Sequence, residues 1–116
     1  MTDIHRSVSS KRWADVVVHR GVARWVEVAD DTAGDLRAQT GQVLAQVDAT
    51  LAALGSDRSR LLEVLVFLAD RSDAATFDEV WDAWVPEGHP PVRALLQAGL
   101  GVGCRVELVV TAAAGD

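Results

Sequence analysis

The stretch from His89 to Ala112, HPPVRALLQAGLGVGCRVELVVTA, limits the folds open to this chain more than any other, because two apolar runs there each carry a single charge in their midst. In the first run Val92, Ala94, Leu96 and Ala98 alternate with Arg93, Leu95 and Gln97. In the second, Val106, Leu108 and Val110 alternate with Arg105, Glu107, Val109 and Thr111. This is the two-residue period of β-strands. Gly99, Gly101 and Gly103 lie between the runs and let the chain reverse, so the two strands are expected side by side as a hairpin. A charge inside an apolar strand is normally paired, since leaving it alone in low dielectric costs on the order of several kcal/mol. On these residues alone, Arg93 and Glu107 read either as a structural ion pair across the hairpin or as a site.

The rest of the chain supplies a partner layer. Asp15 to His19 and Val22 to Val28 read as two strands joined at Arg20-Gly21, where glycine can supply the positive φ of a tight hairpin. The polar link ADDTAG (29–34) offers Asp30, Asp31 and Thr32 as caps for a helix beginning near Gly34. Its stripe is Leu36, Thr40, Val43, Leu44, Val47, Leu51 and Leu54, with Arg37, Gln42, Gln46 and Asp48 largely outside, and Gly55 stops it. RLLEVLVFLA (60–69) is apolar on both alternating faces and reads as the central strand. Asp70 to Asp73 turn the chain, with Ser72 or Asp73 as N-cap, into a helix whose stripe is Phe77, Val80, Trp81, Trp84 and Val85. Pro86 and Gly88 end that helix, and Pro90-Pro91 give Arg93 a stiff lead-in. The order strand, strand, helix, strand, helix, strand, strand predicts an α+β sandwich, a mixed β-sheet with two helices on one face. Leu95 and Val109 lie opposite Leu96 and Val110, so the uncovered face is apolar too, and such a patch marks an interface.

With 116 residues and 49% hydrophobic content the chain makes one domain, 1–116, with apolar material for a core. A net charge of −6 argues against a binder of nucleic-acid phosphates, and no basic patch interrupts it. Met1 to Ser10 contain no signal-peptide core and no run reaches transmembrane length, so a cytoplasmic location is expected. Cys104 is a single cysteine in a glycine-rich turn with no histidine fixed beside it, which reads as structural. His5, His19 and His89 have no metal-ligand spacing, so no metal is assigned. GLGVG precedes a strand and not a helix N-terminus, which makes it a poor phosphate loop.

PVR followed by an apolar strand, a glycine-containing turn and RVELVV resembles the C-terminal signature of the reactive-intermediate deaminase (RidA, YjgF) family. The likeness continues upstream through AQTGQVLAQVDATLAALGSDRSRLLEVLVFLAD and FDEVWDAWV, most of the chain from about Leu36 onward. With RWADVVVH at the start, the chain is similar to a RidA-like branch with a WDAWV helix followed by GHPPVR. The resemblance implies a chorismate-mutase-like fold, a homotrimer with ligand clefts between adjacent subunits, and hydrolysis of amino-acid-derived enamines or imines to 2-oxo acids and ammonia. It also implies no metal or organic cofactor. Arg93 matches the family's arginine, whose planar guanidinium fits a substrate carboxylate with two parallel hydrogen bonds. Glu107 matches the acidic residue of the last strand, placed to position water or exchange protons.

Some positions depart from the pattern. Glu27 and Val28 stand about where many members have serine-glycine or threonine-glycine, Leu95 where a cysteine often follows the arginine, and Val109 where a second acidic residue often follows. Val28 would narrow the pocket and Glu27, if it faces the cleft beside Trp25, would add negative charge there. Trp13 and Trp25 pack in the core or line the cleft. Two functions follow as expectations: an imine deaminase of the hydrolase class working through Arg93 and Glu107, and a non-catalytic trimer that binds a small carboxylate as a sensor or accessory.

Overall fold

The computed structural model describes residues 3–115; Met1, Thr2 and Asp116, and with them the first two residues of the stretch expected to lack a signal-peptide core, lie outside it. Six strands and two helices follow one another as β1 (Ile4–Ser7), β2 (Val16–His19), β3 (Val22–Val28), α1 (Leu36–Ala53), β4 (Leu61–Leu68), α2 (Ala74–Trp84), β5 (Val92–Gln97) and β6 (Val106–Ala113). All six strands form one sheet in the order β1-β2-β3-β6-β4-β5. Only β4 and β5 are parallel, so the sheet is mixed, and the α+β architecture is the one expected.

Local chemistry accounts for most element boundaries. At the β2–β3 turn Arg20 and Gly21 both have positive φ, 51° and 76°, the backbone that a two-residue hairpin needs to match strand twist. The first helix is capped by Asp35, whose Oδ1 accepts from the Ala38 N–H at 2.9 Å, and not by Asp30, Asp31 or Thr32. Those earlier residues lie in the link ahead of the cap, where Asp31 instead accepts from the Ala33 N–H. Gly55, at φ 68°, follows the end of α1 as expected. Before α2 the chain makes a short 3-10 turn, Arg71–Asp73, closed by the Asp70 carboxylate on the Ser72 N–H. Asp73 is the residue preceding α2, but its side chain makes no capping bond.

The expected hairpin of the last two strands does not form. The β4–α2–β5 segment is a crossover, which places β5 parallel to β4 on the sheet's edge, and β6 then returns antiparallel on the other side of β4. The glycine-containing connection reverses the chain as predicted but steps past one strand. β4 is thus flanked on both edges, in agreement with its doubly apolar composition.

Both helices cover one face. Trp25, Val64, Val66, Leu68, Val106, Leu108 and Val110 from the sheet meet Val43, Leu44, Val47 and Leu51 of α1 and Phe77, Trp81 and Trp84 of α2 in the core. Gln39, fully buried beside the α1 stripe, holds the far end together. Its Nε2 lies within 3.1 Å of the carbonyl oxygens of Thr32, Gly34 and Gly103, and its Oε1 accepts from the Arg105 N–H. The opposite face is uncovered. Register alignment gives it the rows Val26–Val109–Leu65–Ala94 and Val28–Glu107–Phe67–Leu96, in which Glu107 is the single charge, beside a more polar row Arg24–Thr111–Glu63–Val92. No helix among the described residues is long and apolar enough to cross a membrane.

Candidate functional site

Strand register decides which charges can meet. On the helix-bearing face the rows are Trp25–Val110–Val64–Arg93 and Glu27–Leu108–Val66–Leu95. Arg93 and Glu27 therefore share a face but stand on different sides of the sheet, while Glu107 points from the other face. Within one chain Arg93 and Glu107 are separated by β4, about 10 Å across two strand spacings, and project in opposite directions. They form neither an ion pair nor a joint site in a single copy.

Arg93 pairs with a residue of α2. Its Nη1 donates to Asp78 Oδ1 at 2.8 Å, and its guanidinium carbon lies 5.8 Å from the Phe77 ring centre and 5.4 Å from that of Trp81. The aromatic faces of the α2 stripe thus form a platform under the cation. Among the described residues no other acceptor takes its remaining N–H groups, and the side chain keeps 26% exposure. A guanidinium so mounted is oriented from below and unsaturated at its rim, ready for a planar anion. Asp78 was not singled out from the sequence; its signal is a carboxylate placed between Phe77 and Trp81 on a helix that leads into the arginine strand.

The other charges gather at β3. β2 covers only Val22 to Arg24, so Trp25 to Val28 have β6 on one side and no strand on the other. Along this free edge runs a cleft of about 720 Å³ lined by Trp13, Asp15, Trp25, Glu27, Val28, Thr50 and Glu107 among others. It wraps round the strand edge, which is how Glu27 from one face and Glu107 from the other both reach it. Trp13 rises from the β1–β2 loop and is 64% exposed. Val28, 39% exposed, fills space at the mouth that a glycine would leave open.

Glu27 is held by three donors. The Trp25 indole N–H reaches Oε1 at 3.0 Å, the Thr50 hydroxyl reaches Oε1 at 3.2 Å, and the Gln46 amide reaches Oε2 at 3.0 Å. Gln46 also donates to the Val28 carbonyl at 2.7 Å and accepts from the Asp30 N–H. Helical periodicity put Gln46 outside, yet it and Thr50 are what α1 contributes to this edge. Cys104, whose Sγ–H reaches the Val106 carbonyl at 3.3 Å, has its thiol pushed up by burial first and then by the nearby Glu107 charge, which makes it a poorer nucleophile. Among the described residues no three His, Cys, Asp or Glu side chains are grouped to hold a metal ion.

Comparison with known proteins now bears on this geometry. Residues 9–114 match the family model described as Endoribonuclease L-PSP. The chain is 41% identical over 111 residues to the RutC family protein YoaB of Escherichia coli K12, covering 95% of this chain and 97% of that one. It is 35% identical over 112 residues to a RutC family protein of Haemophilus influenzae, covering 94% and 97%. A crystal structure of a protein from Pseudomonas aeruginosa superposes with a TM-score of 0.90 at 42% identity, over 96% of this chain and 98% of the other. A YjgF-family structure from Neisseria meningitidis does so with a TM-score of 0.90 at 37% identity, over 98% and 97%.

Proposed function

The chain belongs to the Endoribonuclease L-PSP family, the RidA/YjgF family whose signature its last two strands resemble, and from that premise we propose that it is an enamine/imine deaminase. The observation that carries the reading is the mounting of Arg93 at the sheet edge: one N–H spent on Asp78, an aromatic platform beneath, and no acceptor among the described residues for the rest of the fork. In this role the guanidinium takes the substrate carboxylate with paired charge-assisted hydrogen bonds and so fixes the imine carbon. Glu107 accepts a proton from water as the oxygen adds to the C=N carbon and passes it to the nitrogen; a second proton, moved from the new hydroxyl to that nitrogen, forms the carbonyl and releases ammonia.

Because the two residues diverge within one chain, the reading needs a second copy whose Arg93 edge approaches the β3 cleft. The uncovered sheet face supports such assembly. On this face Val26 is 54% exposed, Leu96 43% and Val28 39%, and Glu107 stands in the row of the last two. The homotrimer of the family resemblance is the assembly proposed, with one cleft at each junction. The family description names an endoribonuclease, but a net charge of −6 and a cleft with Asp15, Glu27 and Glu107 on its lining disfavour a polyphosphate ligand.

A second reading has its own observation. Glu27 and Val28 crowd the cleft edge, and this favours a trimer that binds a small carboxylate without turning it over. The deciding measurement is ammonia release from freshly generated 2-aminoacrylate or 2-iminobutyrate against buffer. Acceleration is expected; binding of the corresponding 2-oxo acid with no acceleration would establish the second reading. A monomer in sedimentation at micromolar concentration would remove the intersubunit site altogether.

A further inference from the structure

Glu27 has a hydrogen-bond environment that a solvated surface glutamate lacks. A carboxylate offers about four acceptor positions, two on each oxygen. Oε1 uses both, on the Trp25 indole N–H and the Thr50 hydroxyl, and Oε2 uses one, on the Gln46 amide. One position on Oε2 is left in a side chain whose rotamer is fixed from three directions. Gln46 is committed as well, since its amide bonds the Val28 carbonyl and its oxygen takes the Asp30 N–H, so it does not swing away to release the carboxylate.

The surroundings reinforce the sign of the charge. Asp15, Glu27 and Glu107 all line the cleft, and no Lys, Arg or His is among its lining residues. Three like charges along a partly apolar recess focus a negative potential on whatever enters it. Arg93, the group proposed to hold the substrate carboxylate, lies at the far edge of the chain and reaches the cleft only from another copy, where its charge is matched by the ligand's carboxylate and not by Glu27. A ligand fixed at its carboxylate end by that arginine therefore meets Glu27 with some other part of its structure.

We propose that Glu27 sets side-chain specificity in this cleft: it favours 2-imino and 2-oxo acids whose side chain ends in a cationic N–H donor, an ammonium or guanidinium, and it rejects those ending in a carboxylate. The inference rests on the functional reading above for the placing of the ligand. The remaining acceptor on Oε2 takes the side-chain N–H, while an acidic side chain meets like charge in a partly apolar recess.

The test is titration calorimetry with three 2-oxo acids of similar length whose side chains end in a guanidinium, a methyl and a carboxylate. The methyl-terminated acid serves as the internal reference for each protein. The guanidinium acid is expected to bind the parent at least tenfold more tightly than the dicarboxylate. Glu27→Gln and Glu27→Thr, checked for folding by circular dichroism, should reduce that ratio to below threefold. A parent with no such preference, a parent that binds none of the three, or a folded variant that keeps the parent's ratio overturns the proposal; where a variant does not fold, the parent's ratio decides. If the ratios behave as expected while no imine yields ammonia faster than in buffer, the specificity role stands and the deaminase reading falls.

Discussion

Arg58 and Arg93 are both arginines seated on tryptophans of α2 and paired with an aspartate, yet they are wired in opposite ways. Arg58, in the 3-10 turn before β4, grips Asp48 through Nε at 2.7 Å and Nη2 at 2.8 Å, donates from Nη1 to the Trp84 carbonyl at 2.9 Å, and lies 4.9 Å over the Trp84 ring. Trp84 in turn donates its indole N–H to the same Asp48 at 3.1 Å. Every member of that cluster is bonded to another, and together they lock α1, the turn and the end of α2. Arg93 has one bond, to Asp78, at a sheet edge. Exposure alone would have misled: the Arg58 side chain is 42% exposed and that of Arg93 only 26%. What separates a structural arginine from a ligand-ready one here is how many donors the fold has already spent.

The largest expected effect belongs to Arg93→Ala. Loss of a bidentate charge-assisted contact to a substrate carboxylate removes about 2–4 kcal/mol, a hundredfold or more in kcat/KM. Thermal stability should barely move, because a partly exposed single-bond pair contributes less than about 1 kcal/mol. Steady-state kinetics beside a melting curve separates the two quantities. A variant that melts many degrees lower with unaltered kcat/KM would show that Arg93 belongs with Arg58.

Arg58→Ala should do the reverse. It leaves Asp48 with the Trp84 indole alone and strands the Trp84 carbonyl, but both ends of the pair retain solvent, so the cost in stability is about 1–2 kcal/mol, or several degrees in Tm. Turnover per folded molecule is expected to stay within about twofold, since no atom of the cluster is among the lining of the β3 cleft. A hundredfold loss in kcat/KM for this variant would erase the contrast.

How much of this contrast could be read before folding depends on what strand and helix periods encode. Period alone located β4, β5, β6 and both helices, because apolar spacing reports which face of an element is buried. It did not report neighbours. The run containing Arg93 and the run containing Glu107 were correctly seen as strands joined by a reversal, but the α2 crossover claims the pairing edge of β4, and no local pattern reveals that competition. Helical period gives no sign of Asp78 or Gln39 and puts Gln46 outside for a related reason: a polar residue on a helix looks solvated until the far partner is known, here Arg93, the Gly103 and Arg105 backbone, and Glu27. β1 was missed because IHRS has one half-buried residue and gains its strand character only from pairing with β2. Trp25 and Glu27 sharing a face did follow from alternation, since that relation is local.

Asp78→Asn makes the finest cut. Asparagine keeps an oxygen to accept from Arg93 Nη1, so the fork stays oriented, but the negative charge that opposes an incoming carboxylate is gone. At a separation of about 5–6 Å in the high effective dielectric of a half-exposed site, that repulsion is worth on the order of 0.5 kcal/mol, so KM for an anionic substrate should fall about twofold with kcat unchanged. The shift should shrink in high salt. The same isosteric change at the saturated cluster, Asp48→Asn, replaces a two-pronged acceptor by an amide whose N–H₂ faces the guanidinium, and it should lower Tm while leaving KM alone. Measured together, the two substitutions exchange an effect on binding for an effect on stability. If Asp78→Asn instead raises KM severalfold without salt dependence, Asp78 acts by positioning Arg93, and the arginine is less free than its single bond implies.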